Sequence, residues 1–293
     1  MKILLTGSSG FIGSSLKNFL EKKRVQAISY DQKDNILNFK NLKSKMKGAT
    51  GIVHLAAMSQ PKSTFDNPLG CVNINIGGTA NILEAARQAG CPWVIFISSR
   101  EVFGQAKILP ITEKTPRKPV SIYGITKFAG EELCRAYSES YGLKTRILRF
   151  TSVYGGQDDK LQRIIPKFII LAAKNDTLTI YGTGHEIFDF THIDDILDGI
   201  WKCMQEVEKS QKLHDDFILS FGKPVYLKDL AKIIVKELKS KSKIKYITGP
   251  SYSTNKCYAD PKKAKEVLSF NPKTNIKEGI KSVIGEFKEK KII

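Results

Sequence analysis

The chain has 293 residues, 41% of them hydrophobic, and a formal net charge of +18, because 39 lysines and only eight arginines outnumber 29 acidic residues. This length can bury a core in one large domain or two unequal lobes. No apolar run approaches the ~20 residues of a membrane helix, and the N-terminal apolar run stops after three residues, unlike a signal peptide, so we expect a cytoplasmic protein without a membrane partner.

The first 16 residues predict a strand, a glycine turn and a helix. An apolar run at 3–5 leads into Gly7, Gly10 and Gly13, spaced G-x-x-G-x-x-G. Gly7 allows the tight turn, Gly10 lets the backbone approach a pyrophosphate, and Gly13 lets the helix pack close to the sheet. Because the N–H groups of such a helix face the phosphates, this opening predicts dinucleotide binding.

A second predicted strand, at 25–30, ends at Asp31. Asp31 follows Gly13 by 18 residues, close to the ~20 expected for the carboxylate that hydrogen-bonds the adenosine ribose. A carboxylate at this position repels a 2′-phosphate. The pattern therefore favours NAD over NADP as the cofactor.

Strands and helices alternate up to residue 150. Further strands are predicted at 51–55, 92–98 and 143–150, with helices at 67–89 and 121–141. This alternation predicts an α/β fold with a Rossmann-type, doubly wound parallel sheet. We assign 1–150 to an NAD-binding domain.

The remainder, 151–293, is predicted to form a smaller mixed α/β lobe that binds the substrate, with part of 175–200 returning to the first domain. Helices are predicted near 165–173, 193–204, 227–239, 261–268 and 275–288. Short strands are predicted at 178–181, 217–220 and 244–247.

The five cysteines are scattered and include no C-x-x-C pair, and the four histidines lack ligand spacing. This usage predicts reduced thiols and no bound metal. The basic residues are mostly lysines spread along the chain, whereas nucleic-acid surfaces favour arginine. The charge indicates a solvated surface that attracts anionic substrates rather than a nucleic-acid interface.

Three residues suggest a hydride-transfer site: Ser99, Tyr123 and Lys127. Tyr123 and Lys127 are four residues apart and share one face of the predicted helix. A nearby ammonium and a cationic nicotinamide favour the phenolate, so Tyr123 can take a proton from a substrate hydroxyl. Ser99, at the end of a central strand, can hydrogen-bond the same oxygen.

The chain resembles the extended short-chain dehydrogenase/reductases, specifically the NAD-dependent epimerase/dehydratases that act on nucleotide sugars. The resemblance rests on collinear motifs along the whole chain. They are TGSSGFIG (6–13), Asp31, HLAA (54–57), NIGGT (75–79), SSREVFG (98–104), YGITK (123–127), RFTSVYG (149–155), DFTHIDD (189–195) and YADPKKAKEVLSFNPK (258–273).

The resemblance implies NAD as cofactor, a nucleotide-diphosphate sugar as substrate, and a homodimer formed through the two helices that carry Asn75 and Tyr123. It implies catalytic roles for Ser99, Tyr123 and Lys127, with Ser99 and Tyr123 also contacting the substrate. The cofactor-binding residues it implies are Gly7, Gly10, Phe11, Ile12, Gly13, Asp31, Asn35, Ile36, Leu55, Ala56, Ala57, Asn75, Ser98, Tyr123 and Lys127.

The reaction stays open between several members of this family. The leading hypothesis is 4-epimerisation of a UDP-hexose through transient oxidation at C4. Glu101, two residues after Ser99, also fits a nucleotide-sugar 4,6-dehydratase, although dehydratases have an acidic residue or serine where this chain has Arg100. A 4-keto-sugar reductase is a third enzyme hypothesis, and a catalytically inactive NAD-binding regulator or RNA-binding protein is the non-enzyme alternative.

Two departures from the family pattern concern the substrate. Ser152 stands where the family has an asparagine that contacts the nucleotide diphosphate, and we keep Ser152 as a candidate substrate-binding residue. Phe188 replaces a phosphate-binding arginine. Loss of a guanidinium removes strong charge-assisted bonds, and His185 and Lys160 are candidates to replace it.

Overall fold

We describe the fold from a computed structural model that covers residues 1–156, 159–248 and 256–293. The strands are β1 (Lys2–Thr6), β2 (Gln26–Tyr30), β3 (Gly51–His54), β4 (Trp93–Ser99), β5 (Lys144–Phe150), β6 (Ser152–Tyr154), β7 (Leu178–Tyr181), β8 (Ile187–Phe188), β9 (Phe190–His192), β10 (His214–Leu219), β11 (Val225–Tyr226) and β12 (Ile244–Ile247). The α-helices are α1 (Phe11–Lys22), α2 (Phe39–Lys45), α3 (Pro61–Asp66), α4 (Pro68–Val72), α5 (Gly78–Gln88), α6 (Ile122–Tyr141), α7 (Ile164–Ala173), α8 (Ile193–Lys209), α9 (Leu227–Glu237), α10 (Lys262–Leu268) and α11 (Ile276–Glu289).

Six strands form one parallel sheet in the order β10-β5-β4-β3-β1-β2. β4 is buried along nearly its whole length, as expected of a central parallel strand with both faces covered. The order reverses between β1 and β3, because the chain runs outward from β1 to β2 and then in the other direction. Parallel α/β sheets bind ligands at the carboxyl ends of the strands beside such a reversal.

Helices cover both faces of this sheet. One apolar core joins α1, α8 and α10 to the sheet, and a second joins α2, α5 and α6 to the opposite face. The predicted Rossmann-type, doubly wound arrangement is confirmed. None of the helices in the described part of the chain is both long and apolar enough to span a bilayer.

A third core lies outside the sheet and joins α7, α9 and α11 to β7. Three two-stranded sheets accompany it: β11-β8, β12-β7 and β6-β9. The chain also returns to the main sheet through α8 and then β10, which pairs with β5. The return therefore includes residues beyond the predicted 175–200 segment, and the sheet takes its last strand from the second half of the chain.

The segment predicted as one helix at 67–89 is divided in the structure. It consists of α4, a π-helical turn over Asn73–Gly77, and α5. Pro68 starts α4, and its missing N–H is tolerated there because the first turn of a helix has no intrahelical acceptor. π-Turns occur frequently at functional sites, and this one carries Asn75.

Candidate active site

The glycine turn after β1 has room only for glycine at two positions. Gly7 has φ +70°, and a Cβ there would lie 2.8 Å from the Ala56 nitrogen. A Cβ on Gly13 would lie 2.0 Å from the Gly7 carbonyl oxygen. The Gly7 N–H also donates to the Tyr30 carbonyl at 2.8 Å. Close packing and positive φ together explain the glycine spacing.

α1 begins at Phe11 directly after this turn. Its N-cap is Gly10, so no side chain caps the helix, and the first turn contains no acidic residue. The N–H groups of Phe11, Ile12 and Gly13 have no intrahelical acceptors, since the first N–H groups of any helix lack them. An uncapped end of a 12-residue helix at the carboxyl edge of the sheet fits a pyrophosphate.

The carboxylate of Asp31 lies against the same turn. It accepts hydrogen bonds from the Ser8 hydroxyl at 2.6 Å and from the Ser9 N–H at 2.8 Å. Asn35 is exposed and has φ +55°, whereas Ile36 is buried and packs against Gly78 of α5. The structure therefore brings Asp31 to the glycine turn, while Ile36 belongs to the core beneath it.

The residues after β3 lie beside the glycine turn and, with it, form one side of the candidate cofactor cleft at the carboxyl edge of the sheet. The N–H of Leu55 donates to the Thr6 carbonyl at 3.2 Å, and the N–H of Ala56 donates to the Thr6 hydroxyl at 3.2 Å. These bonds hold the segment leading to Ala57 beside Gly7, where the strand order reverses. Glycine turn, uncapped helix and carboxylate lie together at this edge, and the chain's own residues fit NAD.

Tyr123 and Lys127 on α6 meet Ser99 at the end of β4. Lys127 is 3% exposed, and its Nζ donates to the Ile97 carbonyl of β4 at 2.7 Å. The same Nζ lies 6.0 Å from the centroid of the Tyr123 ring. The Ser99 side chain hydrogen-bonds to Tyr123. The structure thus brings the three residues together, with two hydroxyls facing each other and the ammonium beneath them.

Burial changes the acid–base properties of this group. It raises the pKa of Tyr123 above its usual value, and the negative charge of Glu101 raises it further. Burial also lowers the pKa of Lys127 to about 8. Burial and Glu101 both oppose the phenolate in the free protein, whereas the sequence argument for the phenolate includes the positive charge of a bound nicotinamide. The Lys127 ammonium, whose charge favours the phenolate, is bonded to the Ile97 carbonyl.

Asn75 and Ser98 have hydrogen-bond partners within the protein. Asn75 bonds both the N–H and the carbonyl of Met58, at 2.8 and 3.1 Å, and donates to Thr126 at 2.9 Å. Ser98 donates to the buried Glu131 at 2.6 Å. Both side chains therefore position the walls of the cleft, and neither is presented to it as a free donor or acceptor.

Glu101 lies in a 3₁₀ turn that follows Ser99. Its N–H donates to the Ser99 hydroxyl at 3.2 Å, and its carboxylate lies 3.4 Å from the Arg100 guanidinium. The negative charge of this carboxylate contributes to the raised pKa of Tyr123.

Ser152 lies on the wall of a pocket of about 80 Å³. The pocket is formed mainly by β6, the start of α7 and the β8–β9 segment, and its lining includes Phe188, Asp159 and Arg163. The structure therefore places the two departures from the family pattern, at 152 and 188, in one pocket. The candidates His185 and Lys160 are both on the surface.

Comparison with known proteins identifies the family. Residues 3–217 match the model of the NAD dependent epimerase/dehydratase family. The chain belongs to this family. A putative UDP-glucose 4-epimerase of Methanocaldococcus jannaschii is 31% identical over 306 residues, which cover 98% of each chain.

Solved structures of epimerases share the fold. A UDP-glucose 4-epimerase of Thermotoga maritima, solved with UDP-glucose, superposes with a TM-score of 0.93 at 23% identity, covering 99% of both chains. A UDP-glucuronic acid 4-epimerase of Bacillus cereus, solved with UDP-glucuronic acid and NAD, gives 0.90 at 24% identity, again over 99% of both chains.

Membership of the epimerase/dehydratase family confirms two predictions made from the sequence: the chain is an enzyme of this class, and its cofactor is NAD.

Sequence reasoning missed several residues that support the site. Thr126 accepts a hydrogen bond from Asn75, and Glu131 accepts one from Ser98. Glu131 also accepts a bidentate pair of hydrogen bonds from Arg149, at 2.7 and 2.8 Å. The signal available was their position on α6, one before and four after Lys127.

Proposed function

We propose that the protein is an NAD-dependent nucleotide-sugar 4-epimerase, with a UDP-hexose as the leading substrate. The observation that carries this proposal is the convergence of Ser99, Tyr123 and Lys127 at the carboxyl end of β4, on the same edge of the sheet as the glycine turn. The names of its relatives, a putative UDP-glucose 4-epimerase and a UDP-glucuronic acid 4-epimerase, agree with it.

The proposed roles are based on the geometry. The Tyr123 phenol first releases its own proton to solvent, and the resulting phenolate takes the proton of the sugar 4-hydroxyl while Ser99 holds the same oxygen. Lys127 keeps a positive charge beneath the phenol, which favours the phenolate during proton transfer. NAD supplies the hydride acceptor and, for epimerisation, the hydride donor. Rotation of the 4-keto sugar between the two transfers inverts C4, and Tyr123 returns the proton.

The cofactor sites remain proposals as well. We assign the pyrophosphate to the glycine turn and the first turn of α1, and the adenosine ribose to Asp31. We assign Asn35 to the adenine, with Ile36 in the core behind it, residues 55–57 to the length of the cofactor, and Asn75 and Ser98 to positions behind the cofactor, as positioning residues. Ser152 is assigned to the substrate pocket.

A second candidate, nucleotide-sugar 4,6-dehydratase, is favoured by Glu101. Its carboxylate lies close enough to Tyr123 to raise the pKa of the phenol. A carboxylate in that position can remove the C5 proton of a 4-keto sugar, which begins loss of the 6-hydroxyl. The two reactions share the first oxidation at C4 and differ only in the steps after the 4-keto sugar has formed.

The test is incubation of the NAD-loaded protein with UDP-glucose, UDP-N-acetylglucosamine, GDP-mannose and dTDP-glucose, with products followed by NMR. An epimer without net NADH supports the epimerase, a 4-keto-6-deoxy sugar supports the dehydratase, and consumption of added NAD(P)H with a keto sugar supports the reductase.

Tyr123→Phe is expected to lose at least about 10²-fold in rate. Tyr141→Phe is the matched control, because Tyr141 is exposed on the same helix. If the wild-type protein turns over none of these sugar nucleotides, the proposal is contradicted.

We also propose a homodimer in the cytoplasm. Apolar side chains are exposed on α3, α4 and α6, helices that pack against one another. Phe65 is 84% exposed, Leu69 76% and Ile125 51%. Exposed apolar surface of this kind is typical of a protein–protein interface, and Leu69 and Ile125 lie on the two segments, 67–89 and α6, that the resemblance assigns to dimerisation.

A further inference from the structure

Two consecutive residues of β4 are bonded to two residues of α6 that lie one helical turn apart. The Lys127 ammonium donates to the Ile97 carbonyl at 2.7 Å, and the Ser98 hydroxyl donates to the Glu131 carboxylate at 2.6 Å. Residues four apart on a helix share one face. The carboxylate and the ammonium are therefore neighbours on the face of α6 that meets β4, immediately before Ser99.

The Glu131 carboxylate is buried, and its negative charge is paired. It is 2% exposed, and Arg149 of β5, itself 1% exposed, donates to it at 2.7 and 2.8 Å. Arg117, in the loop before α6, lies 3.9 Å from the same carboxylate. Arg149 also donates to Asp216 of β10, which accepts a bond from Lys263 of α10 at 3.0 Å. Because buried charges are tolerated when they are paired and hydrogen-bonded, these bonds hold a negative charge beside β4.

Several ionisable groups surround the Lys127 ammonium. Burial lowers the pKa of Lys127 to about 8, and this shift is opposed by Cys134, Glu131 and Cys71. Burial raises the pKa of both thiols, so they are neutral near pH 8. His54 is neutral as well, because burial and the Lys127 charge lower its pKa to about 3. Among these neighbours, Glu131 is the one that carries a negative charge at the pH where Lys127 titrates.

We propose that Glu131 is a positioning residue that acts through Lys127, by holding a fixed negative charge one helical turn from the ammonium of the candidate site. This inference rests on the proposed function. The negative charge favours the protonated lysine, and the protonated lysine favours the phenolate of Tyr123, whose ring centroid lies 6.0 Å from the Lys127 Nζ. Glu131 acts without touching the substrate, since its carboxylate oxygens are bonded to Ser98 and Arg149.

The experiment measures kcat against pH from 6 to 10 for the NAD-loaded protein, with whichever of the four sugar nucleotides named above is turned over fastest. In Glu131→Gln, the midpoint of the alkaline decline is expected to move down by about 1 pH unit, because the ammonium loses its proton more easily. A purely structural role lowers kcat at every pH and leaves the midpoint unchanged.

The matched control is Asp216→Asn, which removes the other carboxylate bonded to Arg149. Asp216 is on β10, which β5 separates from β4, and a charge acts less strongly at greater distance. Its midpoint is therefore expected to equal that of the wild type. Ser98→Ala removes the hydrogen bond to Glu131 but keeps the charge, so a lower kcat with an unchanged midpoint is expected.

A double variant separates the charge effect from folding. Glu131→Gln combined with Arg149→Gln leaves no buried guanidinium unpaired and still lacks the carboxylate that acts on Lys127, so its midpoint is also expected to be lower. Circular dichroism shows which variants are folded. A wild-type midpoint in the folded variants without Glu131, or an equal downward shift in Asp216→Asn, overturns this inference alone. If the wild-type protein turns over no sugar nucleotide, the proposed function is overturned together with it.

Discussion

The Nζ of Lys127 donates a 2.7 Å hydrogen bond to the carbonyl of Ile97, which joins α6 to the central strand β4. Ser99 lies two residues beyond Ile97, and Tyr123 lies one helical turn before Lys127. One buried bond therefore fixes the spacing between the two hydroxyls of the candidate site. It also explains why the lysine lies beneath the phenol without bonding it.

Activity is expected to fall as the pH rises above about 8. Burial lowers the pKa of Lys127 to about 8, so the ammonium loses its proton there and no longer stabilises the phenolate. The rate of Lys127→Arg is expected to be lower than that of the wild type. Because arginine keeps its charge to higher pH, the decline of its activity on the alkaline side is expected to move to higher pH. The measurement is kcat against pH from 6 to 10, with Lys202→Arg on α8 as the control. Identical alkaline limbs in the wild type and Lys127→Arg contradict this assignment.

Gly13→Ala is expected to destabilise the protein by about 3 kcal/mol and to abolish NAD binding. A Cβ at this position lies 2.0 Å from the Gly7 carbonyl oxygen, so the glycine turn must move. The matched variant is Gly285→Ala on α11, where a Cβ meets nothing within 4 Å. It is expected to gain about 0.5–1 kcal/mol from helix propensity. Urea unfolding and NAD titration check both, and equal stabilities of the two variants would falsify the packing explanation.

His54 is expected to make stability depend on pH in the acidic range. It is buried between Thr6 and Thr79, and burial lowers its pKa to about 3. The unfolded chain binds a proton at this residue below about pH 6.5 and the folded protein does not. The free energy of unfolding therefore falls as the pH decreases from about 6.5 towards 3, by roughly 4 kcal/mol in total.

The measurement is urea unfolding of the wild type, His54→Gln and His185→Gln at pH values from 4 to 7. His54→Gln is expected to be less stable at pH 7, because its buried bonds are altered, but to lose less stability on acidification. His185 is exposed, so His185→Gln is expected to behave as the wild type does. A parallel decline in all three proteins shows that the buried imidazole is not the cause.

Charges placed on α4 and α6 are expected to separate the proposed dimer. Leu69→Asp and Ile125→Asp put a carboxylate into an apolar interface, where an unpaired charge is costly. Light scattering after gel filtration is expected to give a dimer for the wild type and a monomer for each variant. Val267→Asp on α10, where the side chain is also exposed, serves as the control. A monomeric wild type at micromolar concentration contradicts the proposal.

Much of the fold was predictable because its signals are local. The glycine spacing at 7–13 predicted the turn, since positive φ and a 2.0 Å approach allow no side chain. The apolar run at 92–98 predicted β4 to within one residue. Helices such as α7 and α9 were predictable from their own apolar periodicity. The short helix α2 and the short paired strands β8 and β11 were missed, because the packing of α2 and the pairing of the two strands depend on residues distant in the chain.

The sequence by itself determined the family, the parallel α/β fold, the NAD cofactor and the identity of the residues grouped as Ser99, Tyr123 and Lys127. Only the tertiary structure decided that the Lys127 ammonium bonds a strand carbonyl, that burial raises the pKa of the Tyr123 phenol, and that Arg100 lies over Phe188. The reason is physical. Spacing along one strand or helix is fixed by local geometry. Burial, electrostatic interactions between side chains, and contacts such as that between Arg100 and Phe188, 88 positions apart, exist only once the chain has folded.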